Sequence, residues 1–291
     1  MSEGEGRTAV VTGGNSGVGR AVSESLLEDG YRVVLVCRSQ ERGEAARETL
    51  AGIRGGEAVE LELADLSDLE AVGALAERLE ARHAAIHALV NNAGTYRARL
   101  ERTPAGLEVT MATNHLGHFA LTTRLKHALE RGGARIVNVS SNGHRSARLR
   151  RAGLDAIMRG EAWNGGIQAY CDSKLANVLF TFELGRRWAT AGVVANALHP
   201  GVLATRIWNQ NANALSLLMR LVKPFMKSPR VGGDAAFALA ADPAHEETTG
   251  RYFEVRDDAE ADGDAYDEAL ARELWETSER ITDAVLRKAT P

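Results

Sequence analysis

The amino-acid sequence predicts an α/β protein with a doubly wound parallel β-sheet that carries helices on both faces. Seven short apolar segments rich in valine, isoleucine and leucine recur along the chain, and helix-length stretches lie between them. Short, nearly continuous apolar runs are typical of strands buried on both faces. Their alternation with helices indicates repeated βαβ units, and therefore a parallel sheet.

The predicted strands cover, in chain order, residues 9–12, 32–37, 58–63, 88–91, 135–140, 193–199 and 252–255. The predicted helices between them cover residues 19–29, 41–51, 69–82, 116–130 and 169–189. In a doubly wound sheet, ligands bind beyond the carboxyl ends of the strands. We therefore expect functional residues directly after strands.

The composition is that of a folded, soluble protein. The chain has 291 residues, of which 44% are hydrophobic and 25% charged, and it contains no linker long enough to separate two domains. We expect one domain over residues 1–291, with a cofactor half at about 7–140, a catalytic and substrate half at about 141–255, and a helical tail at about 256–291.

Charge and cysteine content exclude several classes of function. A net charge of −4 gives no long-range attraction to nucleic acid. Only two cysteines and no secretory signal indicate a reduced, cytoplasmic protein. No apolar run reaches the roughly 18 residues that a membrane span needs, so we expect none.

A glycine-rich turn, T-G-G-N-S-G-V-G at residues 12–19, follows the first strand and opens the first helix. Glycines allow a tight turn and close approach of a pyrophosphate, whose charge the helix N-terminus stabilises. We expect a dinucleotide to bind at Gly13, Asn15, Ser16, Gly17, Val18 and Gly19. The spacing differs from the common G-x-G-x-x-G pattern, and a simple strand-to-helix turn is the alternative.

The end of the second strand indicates which dinucleotide binds. Enzymes that use NAD carry an acid here for the ribose 2′-hydroxyl, whereas this chain has Arg38. A guanidinium pairs well with a 2′-phosphate, so NADP(H) is favoured and NAD(H) is the second choice. The alternative for Arg38 is a solvated loop position.

The third and fourth predicted strands are also followed by candidate cofactor residues. Asp65, followed by Leu66, is placed either to accept a hydrogen bond from the adenine amino group or to act as an acid near the next helix N-terminus. The turn Asn91-Asn92-Ala93-Gly94 lets the backbone pass close to a cofactor, with Asn91, Ala93 and Gly94 as candidates. An ordinary polar turn is the alternative there.

The candidate catalytic residues are Ser141, at the end of the fifth strand, and Tyr170 and Lys174 on the next helix. Residues four apart lie on one helix face, so the lysine ammonium is expected to lower the tyrosine pKa from about 10. Tyr170 would then exchange a proton with a carbonyl or alcohol oxygen that Ser141 also binds. A surface pair of tyrosine and lysine is the alternative, but the order of the motifs argues against it.

Taken together, these motifs resemble the short-chain dehydrogenase/reductase family, which has the Rossmann fold, over about residues 8–252. The motifs are TGGNSGVG at 12–19, Asp65-Leu66, NNAG at 91–94, TNHLGHF at 113–119, IVNVSS at 136–141, YCDSK at 170–174 and HPGVLAT at 199–205. The sequence is most similar to the branch of retinol dehydrogenases and protochlorophyllide reductases. Members of that branch often have an N-terminal membrane anchor, which is not expected here, so retinoid specificity is not carried over.

The resemblance implies roles that spacing alone does not give. It implies that Asn114 joins a proton relay to Lys174, that Lys174 also holds the nicotinamide ribose, and that the nicotinamide is flanked by Pro200, Gly201 and Thr205. It also implies a homodimer or homotetramer, and it involves no metal. The expected function is hydride transfer between NADP(H) and a carbonyl or alcohol substrate, with Tyr170 as general acid and base.

Three parts of the chain leave alternatives open. The apolar stretch at residues 207–222 fits a lid over a lipophilic substrate, a core or oligomer helix, or a membrane-surface helix. Arginines in the 142–168 insertion suit either an acidic substrate or a solvated surface, and the resemblance assigns no role to Arg145, Arg148, Arg150 and Arg151. The tail is either packed on the surface or part of an interface. A regulator that binds NADP(H) without turnover and an epimerase or dehydratase on the same scaffold are the alternative functions.

Overall fold

The computed structural model describes residues 6–201 and 228–287, and within them eight strands form one sheet. The strands are β1 (Thr8–Thr12), β2 (Arg32–Cys37), β3 (Val59–Leu63), β4 (Ala88–Asn91), β5 (Arg135–Val139), β6 (Val194–His199), β7 (Arg251–Glu254) and β8 (Asp257–Ala259). Their order is β3-β2-β1-β4-β5-β6-β7-β8. All neighbours from β3 to β7 are parallel, which confirms the doubly wound α/β prediction.

The eighth strand was not predicted. β8 pairs with β7 in antiparallel orientation through a two-residue turn, and Val255 in that turn has a φ of 58°. Its residues Asp257 and Asp258 are exposed, so β8 carries none of the apolar pattern by which a buried strand is found in a sequence. The acidic edge strand also discourages pairing with another sheet.

The helices lie close to the predicted positions. They are α1 (Gly17–Glu28), α2 (Gln40–Ala51), α3 (Leu69–Arg82), α4 (Val109–Met111), α5 (Gly117–Arg124), α6 (Lys126–Gly132), α7 (Leu154–Met158), α8 (Gly166–Arg187), α9 (Pro229–Ala241) and α10 (Glu268–Leu286). The single helix predicted at residues 116–130 is wrong. A π-helical turn at Ala112–Leu116 precedes α5, and Leu125, with a ψ of 7°, separates α5 from α6.

Both faces of the sheet are covered by helices. Along β1, Val10 packs into one apolar core, while Ala9 and Val11 pack into the other. The first core contains residues of α3, α5, α8 and α10, and the second contains residues of α1 and α9. This two-sided burial is why the strands have continuous apolar sequences rather than alternating ones.

The tail, predicted either as surface-packed or as an interface element, packs on its own chain. Helix α10 lies against α8, α3, α5 and α7. The Trp275 ring is 5.0 Å from the Phe119 ring and 5.8 Å from the Phe180 ring, measured between centroids. The Ser278 hydroxyl also lies 2.8 Å from Nε2 of the buried His115. In the described parts of the chain, no helix has the length and apolar character needed to cross a membrane.

Candidate active site

The site lies where the strand order reverses, between β1 and β4 at the carboxyl edge of the sheet. Helices following β1 and β4 lie on opposite faces of such a sheet, which opens a crevice at this point. The glycine turn follows β1 directly, and the turn at residues 91–94 follows β4. The two sequence motifs predicted to bind a dinucleotide are therefore neighbours in space.

The glycine turn has the close packing that a bound pyrophosphate requires. Gly13 has a φ of +66°, and a Cβ there would lie 2.9 Å from Nδ2 of Asn92. A Cβ on Gly19 would collide with the carbonyl oxygen of Gly13. Ser16 precedes α1 without a side-chain cap, so the first-turn amides, including those of Gly17 and Val18, are donors for an anion. Asn15 lies half-buried in the same turn, and these residues fit a dinucleotide phosphate.

The turn after β4 is tied to the glycine turn through one hydroxyl group. The backbone amides of Asn92 and Ala93 donate to Oγ1 of Thr12 at 2.9 and 3.0 Å, and Asn92 Nδ2 donates to the Thr12 carbonyl at 2.8 Å. These bonds tie the loop to the strand, and they place Ala93, which Gly94 follows in the chain, beside Gly13.

The side chain of Asn91 is directed into the protein interior. Its Nδ2 donates to Oγ1 of Thr122 at 3.0 Å and to Oδ1 of Asn138 at 2.8 Å. Both amide hydrogens therefore stabilise the packing of β4 against β5 and α5. Asn92, which is not among the predicted cofactor residues, provides the side chain that holds the glycine turn.

His118 was also missed, and it connects the glycine turn to Asn114. The ring is buried, with Nδ1 3.0 Å from the Asn114 carbonyl and Nε2 2.9 Å from Oγ1 of Thr12. Burial lowers the pKa of His118 to about 4, so the ring is neutral. Since a carbonyl only accepts, the proton is on Nδ1 and the Thr12 hydroxyl donates to Nε2. The second histidine of the N-H-L-G-H-F motif is the sequence feature that could have pointed to it.

Arg38 and Asp65 form one ion pair at the ends of β2 and β3. The Arg38 side chain is 66% exposed, and its Nη1 lies 3.4 Å from Oδ2 of Asp65. Oδ1 of Asp65 accepts from the amide and the hydroxyl of Ser67 at 2.9 and 2.8 Å. Burial raises the pKa of Asp65, but the bonds from Ser67 and Arg38 outweigh it and hold this pKa below its usual value.

These contacts bear on the two roles considered for Asp65. One oxygen holds the Ser67 turn and the other faces Arg38, while the N-terminus of α3 is capped by Asp68, whose Oδ1 accepts from Glu70 and Ala71. Asp65 therefore stabilises the Ser67 turn and pairs with Arg38, while its hydrogen bond to the adenine amino group stays a prediction. The adjoining Leu66 is buried, at 5% exposure.

Ser141, Tyr170 and Lys174 meet at the carboxyl end of β5. The Ser141 hydroxyl hydrogen-bonds to Tyr170. Lys174 Nζ lies 5.6 Å from the centre of the Tyr170 ring and donates to the Val139 carbonyl at 3.0 Å. Tyr170 and Lys174 are 7% and 2% exposed. The i,i+4 spacing thus brings both side chains into one buried site, and a surface pair is excluded.

The pKa of Tyr170 differs from the sequence-based expectation. Burial raises it to about 12, although the hydrogen bond from Ser141 lowers it. The expectation that the pKa of Tyr170 falls below 10 is therefore wrong for the structure described. Burial also lowers the pKa of Lys174 to about 8. Both charged forms are disfavoured by the same apolar surroundings, which residue spacing does not reveal.

Asn114 lies in the π-helical turn and is completely buried. Its Oδ1 accepts from the Thr95 amide at 2.7 Å, and its Nδ2 donates to the Thr95 carbonyl and to Oγ of Ser173 at 3.0 and 2.9 Å. The amide thus connects the loop after β4 with α8, between Tyr170 and Lys174. Such π-helical turns often occur at functional sites.

The last predicted cofactor residues follow β6. Pro200 is buried, and Gly201 has a φ of +91°, a conformation that favours glycine. Thr205 and the apolar stretch at 207–222 lie outside the described residues.

The arginines of the insertion dock it to the rest of the chain. Arg145 donates to the Glu260 carbonyl at 2.7 Å, and Arg150 pairs with Asp264 and Asp267 of the tail. Arg151 pairs with Asp172 of α8 at 2.6 Å, and the Arg148 amide donates to the same carboxylate at 2.8 Å. Neither an acidic substrate nor a purely solvated surface is needed to account for the pairing arginines Arg145, Arg150 and Arg151.

Several known proteins are similar to this chain in sequence. The short chain dehydrogenase family matches residues 7–152. The chain is 35% identical to human retinol dehydrogenase 11 and 37% identical to mouse retinol dehydrogenase 14, and each alignment covers 94% of this chain and 85% of the relative.

Solved structures of other proteins have a similar fold. An uncharacterized protein from Mycobacterium paratuberculosis matches with a TM-score of 0.74 and 31% identity, covering 95% of this chain and 93% of that chain. The RhlG/NADP active-site complex of Pseudomonas aeruginosa matches with a TM-score of 0.66 and 26% identity, covering 85% and 94%. The serine, tyrosine and lysine at the end of β5, the glycine turn after β1 and these matches lead to one conclusion: the chain belongs to the short-chain dehydrogenase family of oxidoreductases.

Proposed function

We propose that this protein is an NADP(H)-dependent oxidoreductase that transfers a hydride between nicotinamide and a carbonyl or alcohol substrate. The observation that carries the proposal is the buried arrangement of Tyr170, hydrogen-bonded to Ser141, with Lys174 beside its ring. This arrangement lies on the same edge of the sheet as the glycine turn. A hydride carrier and a proton donor would therefore act on one substrate.

The protonation state of Tyr170 fits carbonyl reduction. Its phenol is protonated at neutral pH and can donate a proton, although a pKa raised to about 12 by burial makes it a weaker acid than a free tyrosine. The nicotinamide, when bound, supplies a hydride to the carbonyl carbon. Tyr170 gives its proton to the carbonyl oxygen, so that the product is an alcohol, while Ser141 donates a hydrogen bond to the same oxygen. Lys174 and Asn114 would restore the proton on Tyr170, and in alcohol oxidation the steps run in reverse.

Arg38 supports the preference for NADP(H). Its guanidinium is two-thirds exposed at the end of β2, and its one ion pair among the described residues, with Asp65, is long at 3.4 Å. Exposed pairs of this kind contribute about 0–1 kcal/mol, so a 2′-phosphate can compete for the guanidinium. The similar Pseudomonas structure is described as an NADP complex.

A lipophilic substrate is the second part of the proposal. Similar chains are named retinol dehydrogenases, and retinol is an alcohol with a long apolar chain. Pockets for such molecules are mostly apolar with few polar anchors. The homodimer or homotetramer and the cytoplasmic location implied by the sequence are likewise proposed, and light scattering of purified protein together with cell fractionation would test them.

The test compares wild-type protein with Tyr170→Phe on a panel of aldehydes, ketones and quinones, with NADPH and NADH supplied separately. We expect turnover with NADPH that falls by about 10²–10⁴-fold in the variant, since the phenol is the general acid. NADPH binding, measured by fluorescence titration, should stay nearly unchanged. Retained turnover in Tyr170→Phe would contradict the role of Tyr170 as general acid. Tight NADPH binding by wild-type protein without any turnover would favour a regulatory protein. Conversion of a substrate without net NADPH oxidation would favour an epimerase.

A further inference from the structure

The imidazole of His144 connects the candidate catalytic serine to the acidic tail. His144 lies three residues after Ser141 in the insertion, and its side chain is fully buried. Neither the motifs nor the proposed proton transfer involve it. Its ring bridges the backbone of Ser141 and the backbone of Asp262, which lies 118 residues after His144 in sequence.

The hydrogen bonds of the ring determine its protonation. The backbone amide of Asp262 donates to Nε2 at 3.0 Å, so Nε2 carries no proton. Nδ1 lies 2.8 Å from the carbonyl oxygen of Ser141, which only accepts, so the proton is on Nδ1. Burial lowers the pKa of His144, which keeps the ring neutral. The charged groups that act on it are Arg145, Asp262 and Glu254.

Hydrogen bonds fix both the carbonyl oxygen and the hydroxyl group of Ser141. Its carbonyl oxygen accepts from the ring and also from the His144 amide at 3.0 Å. Its Oγ accepts from the Gly143 amide at 3.2 Å. With that lone pair occupied, the hydroxyl hydrogen is directed to Tyr170 or to a substrate oxygen, which is the bond that carbonyl reduction requires.

The ring is itself held in place by β7. Its centroid is 4.9 Å from that of Tyr252, and the Tyr252 hydroxyl donates to Oδ1 of Asn142 at 3.1 Å. Nδ2 of Asn142 donates to Oε1 of Glu254 at the same distance. The turn that follows Ser141 is thus held to β7 through Tyr252 and Glu254, and to the tail through His144.

We propose that His144 is a positioning residue, which uses the Nδ1–H tautomer to fix Ser141 against the tail segment at Asp262. The proposal rests on the proposed function, because it gives the serine its geometry for hydride transfer. A displacement of a reacting group by about 1 Å can lower a rate by about 100-fold, so a fixed Ser141 matters for kcat.

Two amide variants separate the two ends of the ring. In His144→Asn the amide nitrogen takes the place of Nδ1 and still donates to Ser141, while the bond from Asp262 is lost. In His144→Gln the longer side chain reaches the place of Nε2 and still accepts from Asp262, while the donor to Ser141 is lost. His127→Gln is the matched control, since the His127 side chain is 77% exposed on α6.

We expect His144→Gln to lower kcat by about 10- to 100-fold with little change in KM for NADPH. His144→Asn should keep most of the wild-type kcat but show faster hydrogen exchange at the Asp262 amide. Nitrogen-15 spectra of the histidine rings in wild-type protein should show His144 as the Nδ1–H tautomer.

Three results would overturn the proposal: an Nε2–H ring, wild-type kcat in His144→Gln, or equal loss of kcat in both variants. If His144→Gln does not fold, the proposal is still tested by the tautomer of His144 in wild-type protein and by the hydrogen-exchange rate of the Asp262 amide in His144→Asn. Absence of turnover in wild-type protein would contradict the proposed function. The hydrogen-bonded bridge from Ser141 through His144 to Asp262 is tested separately by the nitrogen-15 spectra and by hydrogen exchange, which need no substrate.

Discussion

Replacing Arg151 by methionine should destabilise the protein strongly, because it leaves the carboxylate of Asp172 buried without its cation. Asp172 is 0% exposed and lies on α8 between Tyr170 and Lys174. It accepts hydrogen bonds from Arg151 Nη1 at 2.6 Å, from the Arg148 amide at 2.8 Å and from Gln168 Nε2 at 2.9 Å. Methionine keeps the apolar length of the side chain but removes one of these three bonds and the only positive charge among them.

The size of the effect follows from burial and from the bonds that remain. Removing one partner of a buried ion pair costs about 3–5 kcal/mol. Because two hydrogen bonds to the carboxylate remain, we expect the lower end of this range, about 3 kcal/mol. For a chain of 291 residues, such a loss lowers Tm by roughly 5 °C.

The assay is chemical denaturation of Arg151→Met, Asp172→Asn and the double variant. Asparagine needs no cation, so Arg151→Met should cost much less when Asp172 is already asparagine, with a coupling energy above about 1.5 kcal/mol. Arg150→Met is the control, since Arg150 is 55% exposed and its pairs with the tail are worth about 0–1 kcal/mol. Equal losses in Arg151→Met and Arg150→Met, or additive costs in the double variant, would refute the reasoning.

Three further changes test other parts of the structure. Arg38→Asp should raise KM for NADPH by about 10-fold or more through loss of a charge-assisted phosphate contact, while KM for NADH changes little; an equal rise for both would contradict the 2′-phosphate site. Trp275→Ala should lower the free energy of unfolding by about 3–5 kcal/mol, because the indole fills the space between α10 and the two phenylalanines. A loss below about 1 kcal/mol would speak against this packing. For carbonyl reduction, kcat/KM for NADPH should fall above about pH 8, where Lys174 loses its proton, and a rate that stays flat to pH 9 would be inconsistent with a charged Lys174.

The parallel part of the sheet could be predicted because its strands are buried on both faces, so that their sequences alone mark them. β8 could not be predicted, since its pairing comes from the turn at Val255 and its side chains are exposed acids. The break between α5 and α6 has no proline or glycine at Leu125 to mark it. These features depend on tertiary packing rather than on local pattern.

In the candidate site, too, some features could be predicted from local sequence and others depend on tertiary packing. The spacing of Tyr170 and Lys174 predicts that they lie together, as found, but burial of both side chains sets the direction of their pKa shifts. His118 and His144 were missed because their partners lie 106 and 118 residues away in sequence. A residue whose function depends on such distant partners is visible only in three dimensions.

The position of α10 has a consequence for biosynthesis. The rings of Phe119 and Phe180 are covered by Trp275, which the ribosome adds long after both. At about 5–20 residues added per second, the stretch from Phe180 to Trp275 takes roughly 5–20 s to synthesise, so this apolar face lacks its cover for that time. Exposed apolar surface is prone to aggregation, so the interval before α10 emerges is the one in which the nascent chain is most vulnerable to it.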